Sequence, residues 1–285
     1  MIAFALALLA AVAYGLSDFA GGATSRRTSA LGVVVVTYPI SLVVALAAAP
    51  LFGGELTGGS LAWGAAAGVA GGVAIWWFYL ALAQGPMSVV SPITAVLVAG
   101  IPVGVGFALG ERPGPLAYVG ILIAVLAVGL VSRESDETVT GADHPRFTSR
   151  VAWLTAGSGV AFALSFIALG QVESGTGLWP LVASRVTATL VVWAVAAASW
   201  RHVVWPTRSL APMLLVIGVV DVVANGALLM AYQHGMLSLV SVVAALYPAV
   251  TVLLAMVVLG ERASRTRVLG MLAALAAVAL ISIAG

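Results

Sequence analysis

Apolar residues run almost without interruption along this chain, broken only by short polar connections, so the length of each run is the first constraint on the fold. A lipid core needs about 20 mostly apolar residues per helical crossing. Ten stretches meet this, at roughly 2–20, 30–52, 61–83, 88–109, 116–132, 151–170, 178–198, 210–231, 237–259 and 265–284. The runs lack the alternation of an outer-membrane barrel strand, and they are therefore predicted as helices. Connections such as 84–87 and 234–236 are short enough to force antiparallel hairpins, and the one long polar segment, 133–150, divides the runs five and five.

The polar positions reveal a second pattern. Shifting the sequence by 150 positions brings 81–132 onto 231–282 without a gap, with 18 identities over the 52 positions. Gly85 meets Gly235, Ser88 meets Ser238, Ser91 meets Ser241, and the Gly110-Glu111-Arg112 turn meets Gly260-Glu261-Arg262. A repeat of this kind fixes the architecture before any single element is assigned. The expected organisation is a first half over 1–132 with helices one to five, a linker over 133–150, and a second half over 151–285 with helices six to ten.

Composition agrees with a membrane protein: 62% of residues are hydrophobic and 8% charged, where a water-soluble domain carries about a quarter charged residues. The 12 basic residues are all arginine and, Arg185 apart, are scattered in or beside connections, which argues against nucleic-acid binding. Ten of them (26, 27, 133, 146, 150, 201, 208, 262, 265 and 267) fall on one side of the predicted layer, and Arg112 alone on the other. Cytoplasmic loops retain positive charge, so the arginine-rich side is expected in the cytoplasm and both termini outside. Met1 to Phe19 lacks a basic start and is read as a retained first helix, not a secretory leader. Because each half has an odd number of helices, the second enters the layer upside down, the arrangement seen in secondary transporters. The predicted fold class is thus all-α integral membrane, with ten transmembrane helices in two inverted five-helix repeats around a central cavity.

The chain resembles ten-helix members of the drug/metabolite transporter superfamily with two EamA-type halves. The two Gly-Glu-Arg turns carry the resemblance, together with Gln84-Gly85 and His234-Gly235, each followed three residues later by a serine. It implies export or exchange of a small metabolite, such as an amino acid, through a cavity between the halves at the inner membrane. One departure is that helix two has no basic residue where its counterpart in helix seven has Arg185.

Candidate chemistry lies in the anomalies. A charge at the bilayer centre costs about 2.5–3.5 kcal/mol even on insertion scales, and Asp18, Arg185 and Asp221 stand inside apolar helices. Arg185 and Asp221 are placed to meet, either as a solute site or as a structural ion pair, and Asn225 extends the Asp221 face by one turn. Tyr14 shares the same spacing with Asp18, and Asp18 and Asp221 are the candidates for proton coupling. In the Trp76-Trp77-Phe78-Tyr79 run, Trp77 or Tyr79 either stacks on the solute or anchors the interface. Ser91, Ser241 and Tyr247 lie in the repeated segment beside Pro92 and Pro248 and complete the candidate solute-binding set, the serines either binding solute or bonding back to their own helix. Glu111 and Glu261 are read as partners of their neighbouring arginines in turn-forming ion pairs. Gly64, Gly68 and Gly72 recur at every fourth position of helix three, a close-packing signal.

No cysteine, metal-ligand constellation or phosphate loop is present in the sequence, and neither enzyme chemistry, a cofactor nor a metal is expected. The expected partners are a small-molecule solute and the lipid bilayer, with the protein a monomer or homodimer. The rival readings are a proton-coupled multidrug or organic-cation efflux pump, and a membrane subunit or sensor that transports nothing.

Overall fold

A computed structural model describes residues 1–25, 27–84, 87–131, 148–199, 203–259 and 265–284. Every regular element among them is helical: α1 (Ile2–Ser25), α2 (Ala30–Phe52), α3 (Gly58–Gln84), α4 (Met87–Ala108), α5 (Pro115–Val131), α6 (Ser149–Gly170), α7 (Trp179–Ala198), α8 (Ala211–Tyr232), α9 (Leu237–Ala244), α10 (Tyr247–Leu259) and α11 (Arg265–Ala284). A short 3₁₀ turn, Arg208–Leu210, leads into α8. The second Gly-Glu-Arg turn and most of the polar linker lie outside the described residues.

Continuous apolar sequence gives helices because a lipid-exposed backbone must bond to itself. Among the described residues, six helices are long and apolar enough to cross a membrane, and 93–108, 115–130, 237–250 and 268–281 are shorter apolar runs. The helices turn their large side chains outward: Leu190 is 64% exposed, Leu275 68% and Val257 76%. Such a surface would aggregate in water; in lipid it is the solvated face. This is a multi-pass membrane protein.

The predicted ninth run is two helices. Pro248 has no N–H to bond the carbonyl of Ala244, and its ring crowds that carbonyl, so α9 stops at Ala244 and α10 starts at Tyr247. Leu246 bonds instead to Val243 at 3.2 Å, a tighter turn. Pro39 and Pro50 lie inside α2 without breaking it.

Helices before residue 132 pack chiefly on helices after residue 148. α5 lies along α11, α3 along α6 and α7, and α1 along α8 and α10, while α2 meets α7 and α8 and α4 meets α6 and α9. Small residues permit the close approach. A Cβ on Gly64 would overlap the carbonyl of Pro180, and one on Gly68 the carbonyl of Ser184. The glycine row of α3 is therefore the seam with α7. Ser165 and Thr187 close the flanks of α3, donating to the carbonyls of Ala67 and Ala65 at 2.8 and 2.9 Å.

The connections at the two ends of the bundle also pair. Glu55 donates its N–H to the Gly175 carbonyl at 3.0 Å. There Gly54 and Gly177, both with positive φ, let the two turns touch backbone to backbone. At the opposite end Thr28 and Ser29 bond to Val204.

Candidate functional site

Midway along the bundle, α1, α2, α3, α7 and α8 converge on a cavity of about 150 Å³, with single residues from α4 and α10 and a short stretch of α6 completing the wall. Its floor is a charged and hydrogen-bonded chain. Arg185 Nη1 stands 3.0 Å from Asp221 Oδ2. Arg185 is the seventh residue of α7, about 9 Å along that helix, and Asp221 is the eleventh of the 22 residues of α8. Both positions are deep in the layer, where each charge requires a partner.

Asp221 is held on every side. Ser41 of α2 donates to Oδ2 at 2.7 Å, and Asn225 donates to Oδ1 at 3.0 Å and to the Asp221 backbone carbonyl at 2.9 Å. Tyr14 of α1 then donates to Asn225 Oδ1 at 2.9 Å. Four helices are thereby joined through one carboxylate. The Arg185 guanidinium also lies over the Tyr38 ring, 5.6 Å from its centroid, a cation–π contact that desolvation strengthens. Removing either member of a buried pair of this kind strands the other charge, at about 3–5 kcal/mol.

Aromatic rings form the wall above this chain. Tyr14 lies 6.2 Å from both Phe166 and Tyr247, centroid to centroid, and Phe78 faces Phe162 at 6.1 Å. Asp18, one turn beyond Tyr14 on α1, faces the cavity and is exposed to it.

Of the residues singled out from sequence, Tyr14, Asp18, Arg185, Asp221, Asn225 and Tyr247 line this one cavity. Two others stand apart. Trp77 packs on Gly157 of α6, where a Cβ would come within 2.5 Å of the indole. Ser241 is buried at 2.8 Å from Tyr232 Oη. The side chains of Tyr79 and Ser91 lie outside the described residues. Ser41 and Tyr38 escaped the sequence reading because neither is charged. The signal was nevertheless present: Thr37 and Ser41 form the same four-residue polar spacing on α2 that marks Tyr14 and Asp18 on α1.

Glu111 corrects the sequence reading. Its carboxylate makes no ion pair with Arg112, whose Nη1 instead donates to the carbonyls of Phe107 and Glu111 at 3.1 and 2.8 Å. The two carboxylate oxygens accept the backbone N–H groups of Leu237 and Ser238, the latter at 3.0 Å. A helix begins with unpaired N–H donors, and Met236, the N-cap of α9, provides no side-chain acceptor. Glu111 supplies one from a turn more than a hundred residues earlier, and a carboxylate also complements the positive end of the helix dipole.

The EamA-like transporter family model matches residues 1–133 and 149–283. The chain belongs to the EamA-like transporter family. That places it in the drug/metabolite transporter superfamily, and its family is one of transporters, not of enzymes. No curated protein matches this EamA-like transporter. A solved structure described only as "Crystal structure of protein" is similar to it with a TM-score of 0.76 at 18% identity, covering 99% of this chain and 95% of that one. At that identity the likeness speaks for the fold.

Proposed function

We propose that this EamA-like transporter is a secondary carrier that exports or exchanges a small, amino-acid-like metabolite across the inner membrane by alternating access. The observation that carries the reading is the mid-bundle cavity, which gathers an ion pair, an open carboxylate and aromatic rings in a place where lipid alone would tolerate none of the charges. A cavity of about 150 Å³ favours a small metabolite over a drug-sized compound, whose pockets run to about 300–1,000 Å³.

Two inverted five-helix halves fit the packing. Under the 150-residue shift α1 corresponds to α6, α2 to α7, α3 to α8, α4 to α9 with α10, and α5 to α11. Exchanging the halves turns the α1–α8 contact into α6–α3, α2–α8 into α7–α3, and α1–α9 into α6–α4; α2–α7, α4–α9 and α5–α11 map onto themselves. With α9 and α10 taken as one crossing, the α-helices among the described residues number ten. The two family matches divide the chain at the same linker. Rocking one half against the other then exposes a midplane site to each side in turn, with the arginine-rich connections in the cytoplasm and both termini outside.

Purified protein in sealed liposomes, loaded with one solute and given its labelled form outside, tests this by counterflow over amino acids, amines, carboxylates, nucleosides and sugars. Exchange of at least one small metabolite, lost in Arg185→Ala and Asp221→Asn, is expected. Silence across the whole panel would leave the non-transporting reading standing.

A further inference from the structure

The charges on the cavity wall are not balanced, and their hydrogen bonds are not evenly shared. Two carboxylates, Asp18 and Asp221, and one guanidinium, Arg185, line it among the described residues, so acidic groups outnumber basic ones by one there. Asp221 is spoken for: Arg185, Ser41 and Asn225 occupy both of its oxygens. Asp18 is its opposite. It opens onto the cavity and makes no hydrogen bond or ion pair to another described residue.

Arg185 has an open position of its own. The residue is 4% exposed and lines the cavity, yet its Nε donor has no hydrogen-bond partner among the described residues. A buried donor without an acceptor is costly, and an occupant of the cavity is the natural source of the missing oxygen. Near Asp18 the wall is aromatic: Tyr14 is one turn away on the same face of α1, and Tyr247 and Phe166 stand beside Tyr14. Rings of this kind attract a positive group that a carboxylate also holds.

We propose that Asp18 is the solute-binding carboxylate of this site, that it takes an organic ammonium group, and that Arg185 Nε donates to an oxygen acceptor on the same molecule. Asp221, Ser41 and Asn225 are positioning residues that hold the guanidinium in place without touching the solute. The substrate class is small primary amines bearing an acceptor oxygen, which includes amino acids, amino alcohols and amino amides. A protonated amino amide, a monocation, brings the one positive charge that the second carboxylate lacks. This inference rests on the carrier reading above and narrows it.

Leucine, leucinamide and 4-methylpentanoate share one carbon skeleton and differ in the charges they carry, so they serve as the test set, with glucose and uridine as uncharged solutes that offer acceptor oxygens but no ammonium group. Each is measured as a competitor and as a driver of counterflow in liposomes containing the wild-type protein, Asp18→Asn or Ser41→Ala. Leucinamide and leucine are expected to bind, 4-methylpentanoate at least tenfold more weakly, and Asp18→Asn to weaken both ammonium compounds at least tenfold. Ser41→Ala, which loosens only the positioning chain, is expected to weaken all three compounds by a similar factor. Asp18 has no partner to lose among the described residues, so Asp18→Asn should fold as the wild type does, with an unchanged melting midpoint in detergent. The proposal is overturned if only sugars, nucleosides or plain carboxylates move, or if Asp18→Asn handles leucinamide within twofold of wild type. If no solute of any class moves, the carrier reading itself falls and this one with it.

Discussion

Replacing Glu111 by alanine removes the acceptor for two N–H groups at the start of α9, and the structure fixes what that should cost. Loss of a capping acceptor costs about 0.5–2 kcal/mol, and a hydrogen bond to a charged group contributes about 1.5–3 kcal/mol where water is excluded. Glu111 is half-buried, so water replaces part of the loss, and about 2 kcal/mol is the working figure. The contact joins the end of α4 to the start of α9, on the side of the bundle where Glu55 meets Gly175. If that side must part for solute to pass, the closed form loses about 2 kcal/mol relative to the open one, close to a 30-fold change in their ratio. The chain contains no cysteine, so a single Ser184→Cys on the cavity wall gives a clean probe. A membrane-impermeant maleimide applied from the Glu111 side should label it about 30-fold faster in Glu111→Ala, and only a few-fold faster in Glu111→Gln, which keeps one acceptor oxygen. A lowered melting midpoint with no change in labelling would refute the argument, because Glu111 would then brace α9 without governing access.

Other outcomes follow from the same contacts. Arg185→Ala and Asp221→Asn should each abolish counterflow and lower the melting midpoint, whereas an Arg185→Leu, Asp221→Leu double variant should recover stability without recovering transport, as removal of a whole buried pair often does. Gly68→Ala places a methyl group against the Ser184 carbonyl and should destabilise the α3–α7 seam by about 1–3 kcal/mol, read as a lower midpoint. Gly21→Ala, with nothing within 4 Å, is its control. Pro248→Ala restores an N–H facing Ala244 and should fuse α9 with α10, visible as slowed amide exchange at residues 246–250; unchanged exchange would mean that packing, not the proline ring, makes the break.

The helical fold was readable because lipid leaves the backbone one economical solution, and nine of the predicted apolar runs became single helices with ends shifted by a few residues. The break at Ala245 was hidden because a proline inside a crossing sometimes interrupts it, as Pro248 does, and sometimes leaves it whole, as Pro39 does. Arg185 and Asp221 were legible as a pair because an isolated charge at that depth is expensive. Asn225 and Tyr14 followed from helical spacing. Ser41 was only faintly legible: it stands four residues after Thr37, but a hydroxyl on an apolar helix bonds equally well to its own backbone. Glu111 misled for a related reason: its neighbour Arg112 offered an adjacent opposite charge, while the partner it uses is a pair of backbone amides that no residue type reveals. Trp77 and Ser241 show the limit of residue chemistry as a guide, because a ring or hydroxyl suited to a solute serves equally well against Gly157 or Tyr232.

The cross-packing of early and late helices has a consequence for how the protein is made. When the first five helices leave the ribosome, most of their partners have not yet been synthesised, and their glycine and serine seams must wait in lipid without a mate. A fragment ending near residue 131 should therefore be short-lived in cells, while the same fragment co-expressed with one starting near residue 148 should find its complement and survive.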